Sequence, residues 1–196
     1  MHTLRQAVDQ ERKDEMNKRT LRLWIGTPAI LLVGWAGAAN AAVVPDSEHV
    51  AKLLSEAKTL AFQLKDDAVA MEGFTRMNVS WESHSIAINQ IREHVNALEK
   101  QESKLKDARA EAAPWQRTAI DRIVPYIDEL EGYTSAVIEH ITDQPKRLFT
   151  DEYKDFLAAN ADYATDLAAM IGDFVDYGKT RDRLERLGNK LEIRKR

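Results

Sequence analysis

Of the side chains in this chain that could coordinate a cofactor, three are the candidates to hold one: His84, His140 and Met71. Neutral imidazole is a common ligand of haem iron and transition metals, and a thioether is a common second ligand. There is no cysteine, which excludes disulfides, iron–sulfur clusters, zinc–thiolate centres, thiol catalysis and covalently attached c-type haem. A carboxylate-bridged di-iron bundle needs Glu-x-x-His on two helices plus two inward glutamates. Glu93-His94 and Glu139-His140 are adjacent pairs instead, and Glu82 and His84 stand two apart, so they point in different directions on a helix. The chain also lacks a glycine-rich phosphate loop, a Gly-x-Ser-x-Gly elbow and a His-Glu-x-x-His pair. No catalytic constellation emerges, so the expectation is a protein that is not an enzyme. His84 with Met71 or His140 as second ligand, carrying haem or a transition metal, is the alternative. The plainer expectation is that His84 is a core polar group satisfied by a neighbouring hydroxyl, carboxylate or water.

Whatever these residues do, helices must position them. From Trp81, steps of three and four give His84, Ile88, Ile91, Val95, Leu98, Glu102 and Leu105, an apolar seam with one polar residue near each end. Upstream, Asp46 or Ser47 can cap a helix whose face is Leu53, Ala57, Leu60, Leu64, Ala68 and Met71, ending near Gly73. Ser80 is a suitable cap for the Trp81 helix, whose charged lower half, Glu99 to Arg109, is expected to project into solvent or line a thin end. Pro114 fits the first turn of a third helix with the seam Ile120, Ile123, Ile127, Leu130, Thr134, Val137 and Ile141. Pro125, inside that helix, is expected to bend it, and Pro145 cannot continue it. Thr150, followed by Asp151 and Glu152, opens a fourth helix with the seam Tyr153, Phe156, Asn160, Tyr163, Leu167, Met170, Phe174 and Tyr177. Asn160 reads as a register-setting polar residue, pairing with His84 or a hydroxyl, and Trp81 and Trp115 as packing anchors. Gly178 is expected to end or loosen the helix, with helical structure resuming at Leu184, Leu187 and Leu191.

These elements predict an all-α fold: an antiparallel up-down-up-down four-helix bundle over 42–178, with left-handed, heptad-like packing and a basic helical tail over 179–196. That topology brings Met71, His84, His140 and Tyr153 to one end. The helix-four aromatics are expected in the core; any part left exposed would mark a surface for a partner or ligand.

Residues 1–41 read as a signal peptide. An apolar run from Leu21 to Ala42 has Lys18, Arg19 and Arg22 at its start, and Ala39-Asn40-Ala41 is a small-x-small site, with cleavage expected after Ala41 and Met16 as an alternative start of translation. An uncleaved membrane anchor is the alternative, since Leu23 to Ala39 is close to the shortest spanning length. The whole chain carries a net charge of −4. Without residues 1–41 the charge is −6, split into +5 from Lys179 onward and −11 in the body. Such a body repels nucleic acid and anionic lipid, leaving the anchor or the basic tail as the routes to a membrane. A basic last turn also complements its own helix dipole.

Four segments, Ser80 to His84, Ile91 to Asn96, Pro114 to Gln116 and Asp173 to Lys179, resemble those of a set of uncharacterised exported helical proteins of soil bacteria. The resemblance spans most of the chain after residue 41. It implies export and a bundle, and carries no activity. In architecture the chain is also similar to cytochrome b562-type bundles, without their N-terminal methionine and C-terminal histidine ligand pair. It is similar as well to chemoreceptor sensor bundles, without a second spanning helix or signalling domain. The functional expectation is therefore an exported bundle that binds an unknown protein or small ligand in the periplasm or outside the cell.

Overall fold

The computed structural model describes residues 45–77 and 79–193. They form four long helices: α1 (Glu48–Gly73), α2 (Trp81–Asp107), α3 (Pro114–Asp143) and α4 (Asp151–Lys190). One-turn 3-10 segments at Phe74–Arg76 and Ala108–Glu111 close the ends of α1 and α2. The starts are set by short polar side chains that accept orphan amides of the first turn. Ser47 Oγ accepts from Val50, Ser80 Oγ from Ser83, and Thr150 Oγ1 from Tyr153.

Each helix packs on its neighbour in sequence, and α1 packs on α4, closing the ring of an up-down four-helix bundle. The α1–α4 contact is the most extensive. Small residues explain it, because Ala57, Ala61 and Ala68 on α1 and Ala161, Ala164 and Ala168 on α4 are all buried and let the backbones approach closely. The expected seam of α4 is therefore displaced. Tyr153, Asn160 and Leu167 are buried as expected, but their companions are Leu157, Ile171, Val175 and the alanines. Phe156, Tyr163, Met170 and Phe174 are only half-buried and Tyr177 is exposed, so the aromatic stripe flanks the core instead of filling it.

Of the two expectations for the charged lower half of α2, projection into solvent is not met, since Gln101, Glu102, Leu105 and Ala108 are buried and one face of it lines the bundle. Its polar groups are satisfied in place: Gln101 Nε2 donates to the Leu53 carbonyl (2.9 Å) and to Glu56 (3.1 Å), and Lys106 pairs with Glu102. Gly178 neither ends nor interrupts α4, which runs unbroken for 40 residues. Pro125 lies on the exposed side of α3, and the helix continues through it. The carbonyl it leaves without a helical donor belongs to Asp121, itself exposed, where water can replace the lost amide. Among the described residues no helix is long and apolar enough to cross a membrane. The apolar run Leu21–Ala42 and its cleavage site lie outside the described residues.

Candidate functional site

The end where α1 and α3 finish and α2 and α4 begin gathers the expected residues. Met71, His84, His140 and Tyr153 are all buried there. Tyr153 is their hub. Its hydroxyl shares a 2.8 Å hydrogen bond with His84 Nδ1, and its ring stacks on His140 at 4.9 Å. Phe74 presents an edge to His84 at 5.2 Å. Burial disfavours the charged form of each partner, pushing the Tyr153 hydroxyl up and the His84 imidazole down, so the pair is neutral.

His140 Nε2 donates to the Arg147 carbonyl at 3.1 Å, which makes that nitrogen a donor and commits its proton. His84 Nε2 is buried with no hydrogen-bond partner. The cluster therefore leaves one ring nitrogen, His84 Nε2, buried without a hydrogen bond, and His140 keeps only Nδ1 for any ligand. Among the described residues no three histidine or acidic side chains stand close enough to hold a metal ion. Asn160, at mid-height, pairs with a hydroxyl and not with His84: Thr134 Oγ1 donates to its Oδ1 at 3.3 Å. Trp81 is 43% exposed, so it is only partly an anchor; its Nε1 donates to the Ile141 carbonyl at 3.4 Å, tying the start of α2 to the end of α3.

A second arrangement lies at the opposite end, where the displaced aromatics of α4 face α3. Trp115, Thr118, Arg122 and Tyr126 of α3 and Asp166, Met170, Asp173, Phe174 and Tyr177 of α4 line a cleft of about 720 Å³. The Arg122 guanidinium sits 6.0 Å over the Phe174 ring, and Trp115 meets Tyr177 edge-on at 5.3 Å. Trp115 also forms part of the wall of a second cleft of about 640 Å³, between the start of α1 and α4. The indole is fixed between them. Its Nε1 donates to Asp46 at 2.8 Å, and its six-membered ring lies so close to Gly178 that any Cβ there would stand 2.8 Å from Cη2. Flat aromatic walls with an arginine and two carboxylates at the rim suit a partly apolar group bearing charge.

The sequence reading named Trp115 and the α4 aromatics but missed Arg122 and Tyr126. Both stand at helical spacing from Trp115, and that spacing was the available signal. It also missed Gln116, which is fully buried. Ala113 precedes α3 with no acceptor of its own, and Gln116 Oε1 reaches back to accept from the Ala113 amide (2.9 Å) and the Ser47 amide (3.0 Å). Its Nε2 donates to the Ser47 carbonyl at 2.8 Å. One side chain thus fixes the starts of α1 and α3 together.

Fold and sites together define an up-down four-helix bundle with a buried aromatic–histidine cluster at one end and an open aromatic cleft at the other. No family model, curated protein or solved structure matches the chain.

Proposed function

We propose that this chain is an exported, non-enzymatic bundle with shallow left-handed helix packing, which binds a partner or small ligand in the cell envelope through the cleft between α3 and α4. The observation that carries the reading is the half-buried aromatic stripe. Phe174 and Met170 only flank the core and Tyr177 is exposed, while the buried face of α4 is built from alanines, Leu157, Leu167, Ile171 and Val175. An apolar wall kept open beside a fixed indole is the ordinary form of a small-ligand site. The leader-like run Leu21–Ala42 and the resemblance to exported helical proteins support the location.

Titration with 1-anilinonaphthalene-8-sulfonate tests the cleft, since its rings suit Phe174 and its sulfonate suits Arg122. Saturable binding at one site is expected, weakened roughly ten-fold or more by Phe174→Ala or Arg122→Ala, which trim partly exposed side chains. Binding unchanged in both variants sinks the reading. N-terminal sequencing of the envelope form, expected to begin at Ala42, tests export.

One observation favours a second reading, in which the bundle carries haem or a metal through His84 with Met71 or His140. The unpartnered His84 Nε2 is a buried donor atom without a use. An absorption spectrum with elemental analysis of the protein from its native envelope decides it. A Soret band or stoichiometric metal lost in His84→Leu would establish that reading over the first.

A further inference from the structure

Among the described residues nothing covers an apolar face on the last part of α4. The other three helices have 26, 27 and 30 residues and α4 has 40, so its final turns overrun the bundle by roughly 15 Å at about 1.5 Å per residue. On this overrun Leu184, Leu187 and Leu191 are 64%, 44% and 62% exposed. Their spacing of three and four puts them in one stripe, continuing the line of Tyr177. Beside the stripe, Lys179, Arg183, Arg186 and Lys190 form a ridge at helical spacing, all exposed; Asp182 borders its far side, next to Lys179 and Arg186, and Glu185 lies further round the helix, away from the leucines.

We infer that this amphipathic end of α4 docks on an anionic lipid surface, with the leucines at the acyl boundary and the basic ridge on the headgroup phosphates. The inference stands apart from the α3–α4 cleft and from export. Charge complementarity carries it: the segment from Lys179 onward is +5 and the remainder after residue 41 is −11, so an anionic plane attracts the tip and holds off the body. Long lysine and arginine stems reach sideways to phosphates while the leucines between them enter the interface. A second copy is a poor occupant. Along Leu184–Leu191 the positions flanking the stripe are Arg181, Arg183, Gly188 and Lys190, none of which offers a counter-charge. A helical protein partner is disfavoured by length, because the stripe covers about two heptads where a coiled coil needs about three or four. A lipid surface imposes no such register.

The test uses the full chain carrying Leu191→Cys, labelled with an environment-sensitive dye; the absence of natural cysteine makes the label unique. A parallel label at Gly132→Cys, exposed on the body, reports binding by any other part. With phosphatidylcholine vesicles containing phosphatidylglycerol, the dye at 191 should shift to the blue and return when salt is raised, and the dye at 132 should not move. Replacing Arg183, Arg186 and Lys190 together by glutamine should lower partitioning roughly a hundred-fold, and Leu184→Gln with Leu187→Gln should lower it roughly ten-fold or more. Far-UV circular dichroism checks that these variants remain helical. The inference is overturned by no shift at 191, by an equal shift on pure phosphatidylcholine, or by an equal shift at 132. It is also overturned if added unlabelled protein, or an acidic helical peptide, moves the dye where vesicles do not.

Discussion

Replacing Gly178 by alanine tests whether the indole of Trp115 is held as tightly as its contacts imply. The new Cβ would meet Cη2 at 2.8 Å and Cζ2 at 3.1 Å, and the ring cannot simply swing away. Its Nε1 is bonded to Asp46 at 2.8 Å and Tyr177 lies against it. Overpacking of this kind costs about 1–3 kcal/mol, while exchanging glycine for alanine in a helix returns about 1 kcal/mol. The net expectation is a loss of about 1 kcal/mol. Gly132 supplies the reference, because nothing lies within 4 Å of a Cβ built there, so Gly132→Ala should gain about 0.5–1 kcal/mol. Urea unfolding of both variants should place them on opposite sides of the parent, about 2 kcal/mol apart, or roughly 4–8 °C in Tm at this size. Adding Trp115→Leu removes the obstruction, and in that background Gly178→Ala should become stabilising like its counterpart. Equal gains from Gly178→Ala and Gly132→Ala in the parent would refute the reasoning, and with it the claim that the wall between the two clefts is rigid.

At the other end, burial holds the His84 imidazole below its ordinary value in the folded chain, whereas unfolded it titrates near about 6.5. As pH falls through that value the unfolded chain takes up the proton first, so stability declines downward from about 6.5 until the folded imidazole also titrates. His84→Leu should flatten this acid limb in urea melts, while lowering stability at neutral pH by about 1–3 kcal/mol because the Tyr153 hydroxyl loses its bond. Parallel pH profiles for parent and variant would count against a neutral buried histidine. Gln116→Ala removes three hydrogen bonds at once and should cost about 2–4 kcal/mol; faster amide exchange at Ser47 and Ala113 is the local readout, and unchanged exchange there would show the staple to be dispensable.

The helices were legible because their ends are written in short-range chemistry: Ser47, Ser80 and Thr150 each precede an acidic first turn or an apolar seam, and Pro114 opens α3. Which face of α4 turns inward was not, because a pattern that weights large apolar residues favours Phe156 and Phe174 over Ala161 and Ala168. Close helix approach favours the alanines, and the structure follows them. The gathering of His84, His140, Met71 and Tyr153 followed from topology alone. The roles within it did not, since the Tyr153 bond to His84 and the Arg147 carbonyl on His140 join residues that no sequence period relates. Gly178 was misread for a related reason. Glycine commonly marks a helix end, and only the position of a ring from another helix shows that it is here to leave room.

At each end one long-range tie joins helices that are not neighbours. Gln116 binds α3 to the start of α1, and Tyr153 binds α4 to α2, so each tie spans a diagonal of the four-rod cross-section, and the two ends use different diagonals. Four rods touching only along their sides can lean from a square into a rhombus, a shear that lengthens one diagonal and shortens the other. Whichever way this bundle leans, one of its ends is being stretched across a fixed strut. Cross-bracing of that kind leaves twist about the long axis as the soft deformation, and it explains how a frame with an open cleft on one side keeps its outline.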